Sequence, residues 1–115
     1  MHIIFGDEAD KLREKYTVLE LDTILVEGDR RTAYCVVETV PLQEIHRIEE
    51  FSNLHANLIA QYGQRNWNYC EQALEHLHGR WAGELDSFYD DLGRRVQDYK
   101  TADPGPDWDP VRKAN

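Results

Sequence analysis

Residues 17–63, TVLELDTILVEGDRRTAYCVVETVPLQEIHRIEEFSNLHANLIAQYG, decide the fold, because the repeat of apolar residues changes inside them. Up to Val40 the stretch is rich in β-branched and aromatic side chains, in two runs parted by Gly28-Asp29. Such a dipeptide between extended runs predicts a tight β-hairpin. From Pro41 onward, Ile45, Ile48, Phe51, Leu54, Leu58, Ile59 and Tyr62 recur every three or four residues. That step puts side chains on one face of an α-helix. Pro41 suits the first position of that helix, where a backbone N–H has no partner to lose.

Upstream, HIIF is a short apolar run ending at Gly6, and DEADKLREKY after it predicts a helix. Asp7 is placed to cap it, Glu8 and Asp10 sit in its first turn, and Ala9, Leu12 and Tyr16 follow at helical spacing. Residues 1–40 therefore predict β-α-β-β. If the first two strands pair in parallel, the intervening helix must cover one face of the sheet. Downstream, Gly63 suits a left-handed helix end and Asn66 an N-cap. A second stripe follows: Trp67, Cys70, Ala73, Leu74, Leu77, Trp81, Leu85, Phe88, Leu92, Val96 and Tyr99. Its phase survives Gly79 and Gly83, which predicts one long helix, with a kink or break at the glycines as the alternative. The tail, TADPGPDWDPVRKAN, is punctuated by prolines and reads as irregular. The expected fold is α+β, with a small three-stranded sheet in residues 1–40 and a long two-helix hairpin in 41–100. These form one domain, 1–100, and residues 101–115 are a tail whose Trp108 either docks on the body or awaits a partner.

A chain of 115 residues can build one core but not two. Hydrophobic residues are 41% and charged residues 30%, a globular balance. No apolar run approaches the ~20 residues of a membrane span, and the N-terminus lacks the pattern of a secretory signal. Cys35 and Cys70 lie inside apolar patterns and read as reduced core residues of a cytoplasmic protein. With 22 acidic against 13 basic residues the net charge is −9. This speaks against a surface that tracks phosphates, which needs clustered Lys and Arg. Neither nucleic acid nor membrane is an expected partner, no cofactor is implied, and the acidity would suit a basic protein.

Chemistry-bearing residues concentrate in residues 66–92, NWNYCEQALEHLHGRWAGELDSFYDDL. Glu75 and His78 form an E-x-x-H pair, the spacing by which di-iron bundles take two ligands from one helix. The second such pair that those bundles need is missing. His76 and His78 diverge by about 200° on a helix and cannot chelate together. No zinc pattern surrounds Cys35 or Cys70. Glu84, Asp86, Asp90 and Asp91 flank the apolar stripe as solvated carboxylates do, and no nucleophile signature or phosphate loop occurs. Gly79 and Gly83, four residues apart on a continuous helix, would make a flat strip that a second backbone can approach. With Trp81 between them, and with Tyr89 and Trp108, they are the expected interaction residues, since Trp carries much of the energy of protein interfaces.

LIAQYGQRNWNYCEQALEHL, residues 58–77, resembles a single tetratricopeptide-type helical hairpin. Tyr62 precedes the turn, the small residue Cys70 follows eight positions later, and Leu74 and Leu77 continue the inner face. The small position is Cys rather than Ala, and the motif occurs once, whereas a solenoid needs about three copies. PDWDPV is similar to a Trp-containing segment that can follow such a repeat in the tails of bacterial class III adenylate cyclases; no cyclase activity is implied. The opening IIFGDEADKLREKYTVLELDT and the block GELDSFYDDL make the whole chain similar to small uncharacterised proteins carried by tailed phages of marine cyanobacteria. That resemblance implies no activity and no functional residue; a phage-encoded chain would act in the host cytoplasm. The expected function is a non-catalytic protein-interaction module that binds a host protein, with homodimerisation as one form of the contact. The alternatives are a small metal- or carboxylate-dependent enzyme using Glu75 and His78, and an acidic mimic of nucleic acid.

Overall fold

The computed structural model describes residues 2–38 and 42–113. The chain runs β1 (His2–Phe5), α1 (Asp7–Leu12), β2 (Thr17–Val26), β3 (Asp29–Val37), α2 (Ile48–Gly63), α3 (Trp67–Leu77), α4 (Asp86–Thr101) and β4 (Val111–Lys113). It is an α+β fold in three layers: α1, the sheet, and the three longer helices. The β-α-β-β order holds. The strands stand in the order β1-β3-β2-β4, with β1 and β2 each antiparallel to β3. β1 and β2 therefore run the same way without pairing, which corrects the conditional expectation of a parallel pair. The β2–β3 hairpin closes locally, and β1 takes the free side of β3, so that α1 crosses over the central strand.

The hairpin reverses at Glu27 and Gly28, one residue earlier than Gly28-Asp29, and both have positive φ (51° and 86°). That conformation matches the twist of the flanking strands. A bulge shapes the rest of β2. Glu20 pairs with Tyr34 and Thr23 with Thr32, so Leu21 and Asp22 together oppose Ala33. The extra residue resets the two-residue alternation. Leu19 and Leu21 face the core before the bulge, Ile24 packs against it afterwards, and Asp22 is turned toward α4.

One face of the sheet presents Leu19, Leu21, Ala33, Cys35 and Val37 to α2, α3 and α4. There they meet Phe51, Leu58, Cys70, Leu77, Trp81, Leu85, Leu92 and Val96 in one continuous apolar core. Residues 1–40 and 41–100 thus share a single interior. On the opposite face Ile4 and Val36 pack under Ala9 and Leu12 of α1. Gly6, rather than Asp7, occupies the N-cap position of α1, and no side chain caps it.

The helical half departs from the expected hairpin at three places. First, residues 42–47 form a 3-10 turn with Leu42 and Ile45 exposed, so Ile45 leaves the core stripe; three residues per turn move it out of phase with Ile48 and Phe51. The expected helix start at Pro41 lies outside the described residues. Second, Gly63 stays inside α2 and Arg65 takes the left-handed conformation instead, at φ 62°. Asn66 does cap α3, its side chain accepting from the Tyr69 N–H at 3.4 Å. Third, the predicted long helix is two helices. α3 ends at Leu77, the chain reverses through a 3-10 turn at Trp81–Gly83, and α4 begins at Asp86.

The glycines cause that break by conformation as well as by low helix propensity. Gly79 and Gly83 have φ of 85° and 77°, and Trp81 and Ala82 between them are also left-handed, both at 56°. A left-handed non-glycine residue costs ~1–2 kcal/mol. Here the cost is offset by the indole of Trp81, which is 1% exposed and lies edge-on to Phe51. Leu77, Trp81 and Leu85 all point inward, so every fourth residue stays apolar while the backbone leaves the helix. That is why the stripe ran unbroken through the turn.

Candidate functional site

The residues expected to do chemistry lie in a cleft of about 590 Å³ between α3 and α4. Glu71, Glu75 and His78 line one wall, and Asp90, Arg94, Gln97 and Asp98 the other. At the floor α4 passes α3 in ordinary van der Waals contact: a Cβ on Gly93 would stand 3.8 Å from the Leu74 side chain. Glu75 and His78 do share this cleft. The partners of His78, however, come from α4, with Asp90 at 3.2 Å and Asp86 at 3.9 Å. His78 and Asp90 are both more than half exposed, so water screens the pair. Glu71 is paired with Lys100 across the cleft. Among the described residues no group of three or more His, Cys, Asp or Glu could hold a metal ion. Among the described residues the cleft lining carries carboxylates, Arg94, Gln97 and the side of Tyr89, and no Ser, Thr or Cys.

The expected interaction residues divide differently. Trp81 and Tyr89 belong to the interior, at 1% and 2% exposure, and are corrected from surface to core. They join a buried chain of hydrogen bonds that the sequence reading missed. The Trp81 indole N–H donates to the Tyr89 hydroxyl (3.1 Å), and that hydroxyl meets His55 Nδ1 at 3.0 Å. His55 Nε2 reaches the Glu20 carbonyl at the bulge of β2. A carbonyl can only accept, so Nε2 carries the proton. Tyr89, having accepted from Trp81, donates its own proton to Nδ1. His55 is therefore neutral, and burial pushes its pKa below 6.5. Each polar atom is satisfied, and the chain ties α2, α4 and the Trp81 turn to β2. A lone histidine on an apolar helical stripe was the available signal. Gly79 and Gly83 sit in the left-handed turn and form no flat helical strip.

A second buried polar group fastens the same strand. Arg95 of α4 reaches both oxygens of Asp22, at 2.9 and 3.0 Å, and also bonds Asp91. Burial opposes the charge of Arg95, but the hydrogen bonds of Asp22 and Asp91 outweigh it and hold its pKa above the ordinary value. The Cys35 and Cys70 thiols are free and fully buried, and burial pushes each up to about 11. Neither is poised as a thiolate at neutral pH.

Trp108 is docked, at the end of α3 opposite the Trp81 turn. Its ring stands 5.1 Å from Tyr62, 5.5 Å from Trp67 and 5.1 Å from Tyr99, so the tail rests where α2 ends, α3 begins and α4 ends. Asp103 accepts from Arg65 (2.8 Å), the Trp67 indole N–H (3.1 Å) and the Gly105 N–H (2.8 Å). These donors, the backbone one first, hold its carboxyl below the usual range. Asp109 pairs with Arg30. β4 then joins β2 in parallel, Thr23 to Val111 and Leu25 to Lys113, where the sequence predicted only irregular chain.

On the far edge of the sheet β1 has no strand beyond it among the described residues. Ile3 and Phe5, 46% and 39% exposed, share the face of Cys35 and Ala33 but lie beyond the cover of the helices. Below them a groove of about 350 Å³ is lined by Leu21, Ile24, Ala33 and Phe88, with Asp22, Ser87 and Asp91 at its polar side.

Fold and sites together define a small α+β domain with an open cleft between α3 and α4, buried polar links from the helices to β2, an uncovered sheet edge at β1 and a docked tail. Comparison with protein-family models, curated proteins and solved structures finds no match for the chain. No helix among the described residues is long and apolar enough to cross a membrane.

Proposed function

We propose that the chain is a non-catalytic protein-interaction module whose contact surface is the β1 edge. The observation that carries this reading is the conjunction of an unpaired strand with a half-exposed apolar pair, Ile3 and Phe5, above an apolar groove. Sheet edges are ordinarily blunted by shortness, Lys, Pro or a bulge. β1 is short, at four residues, but carries no Lys, Pro or bulge. Such an edge accepts an extended segment of another protein, whose backbone completes the ladder while alternate side chains enter the groove. A second copy of the chain, antiparallel across β1, would be the symmetric version of the same contact.

The net charge of −9 favours a basic partner. Two free thiols support a reducing compartment such as a cytoplasm, and a phage-carried chain would meet a host protein there. The test is affinity capture from bacterial lysate, read by mass spectrometry, with Phe5→Asp beside the wild-type chain and light scattering to measure self-association. One stoichiometric protein, or a dimer, lost on Phe5→Asp is the expected result. A chain that stays monomeric and retains nothing, or retains the same proteins in both forms, overturns the reading.

A further inference from the structure

The other edge of the sheet is occupied, and its occupant describes a ligand. We infer that the surface under residues 103–113 is a binding site for an extended peptide of pattern Asp-x4-Trp-Asp-Pro, and that the chain's own tail is a displaceable copy of that peptide. This inference is independent of the β1 edge and stands on different residues.

Every feature of the pattern has a receptor. Asp103 meets Arg65 and the Trp67 indole N–H, Trp108 enters the pit of Tyr62, Trp67 and Tyr99, and Asp109 meets Arg30. Pro110 packs beside Gly63 at the end of α2, 3.9 Å from where a Cβ there would stand, an ordinary van der Waals contact. The three residues after it form a parallel ladder with Thr23, Ile24 and Leu25 of β2. Two carboxylates facing two arginines, with an aromatic ring between them, make the surface complementary to this one chemistry. None of these contacts requires the peptide to be continuous with α4.

The tail is also held lightly enough to leave. Its ion pairs are solvent-exposed, with Asp103 and Asp109 side chains 46% and 51% accessible, and such pairs contribute little. Trp108 is only partly buried, and a cavity of about 140 Å³ remains beneath Pro110 between β2 and the end of α2. Pro104, Gly105 and Pro106 connect the tail to α4. Proline lacks an N–H and keeps a released chain extended, so little order is lost or gained when the segment lifts. Such a segment opens locally while the core stays folded. A tethered ligand acts at an effective concentration of about millimolar, so a free peptide competes poorly until its own tail is weakened.

The experiment titrates a fluorescent synthetic peptide copying residues 102–113 into the full-length Trp108→Ala chain and into the wild-type chain. Saturable binding to the variant is expected, at least tenfold tighter than to wild type, and a peptide carrying Trp108→Ala should not bind. No saturable binding to a variant with native circular dichroism, or equal binding to both chains, overturns the inference. Should the variant fail to fold, amide hydrogen exchange on the unmodified chain decides. Amides of residues 111–113 must exchange while the β2–β3 ladder stays protected, and equal protection of the two sinks the proposal.

Discussion

The two sides of the central strand β3 are built unequally. On one side β2 is fastened three times: the Glu20 carbonyl accepts from the His55 Nε2–H, Asp22 clasps Arg95, and β4 with Trp108 closes the outer edge. On the other side β1 is four residues long, held by β3 and by the thin cover of α1, with its outer edge open. The difference teaches where the molecule can meet others. The buried polar links of the helical half go to β2, and among the described residues the β1 edge has no strand beyond it.

The comparison is broken most severely at Arg95. Arg95→Ala removes the guanidinium that both oxygens of Asp22 meet, and the Asp22 side chain is only 12% exposed. Removing one partner of a largely buried pair costs about 3 kcal/mol, and urea denaturation should show a loss of that size with the β2 ladder the first to exchange. A smaller loss comes from Trp108→Ala. A buried aromatic costs about 3–5 kcal/mol on truncation to Ala, and this one is half-buried, so about 2 kcal/mol is expected. Its signature is rapid exchange at residues 111–113, which makes the two edges alike.

Acid probes the fastening at His55. Its folded pKa lies below 6.5, so the unfolded chain binds the extra proton first. Stability should hold above that value and fall as pH drops through it toward the folded pKa, at no more than about 1.4 kcal/mol per pH unit from this group. Denaturation midpoints of wild type and His55→Gln between pH 7 and 5 isolate the contribution, and equal slopes would remove it. The smallest effect on stability belongs to the open edge. Phe5→Asp removes a ring that is 39% exposed and should cost about 1 kcal/mol. A loss of several kcal/mol there would mean that β1 is structural and the edge no interface.

Much of this architecture was legible in the residues because it depends on short-range repeats. The alternation in 17–37, the Gly28 reversal, the three- and four-residue steps of 48–62, the cap at Asn66 and the burial of Cys35 and Cys70 all follow from local pattern. Where the reading went astray, two conformations shared one pattern. Leu77, Trp81 and Leu85 keep a helical phase whether the backbone is a helix or a left-handed turn, so Gly79 and Gly83 suggested a flat strip and Trp81 a surface anchor. His55 carried only its place on an apolar stripe and Asp22 no local mark at all, since their partners lie 34 and 73 residues away.

By itself the sequence determined the class of fold, the order of its first strands and helices and the apolar membership of the core, because each rests on the period of neighbouring side chains. Tertiary structure alone decided the strand order, the reversal at Trp81, the buried polar links to β2, the seat of Trp108 and the open edge of β1. Those depend on which distant surfaces meet, and no repeat within a dozen residues encodes that.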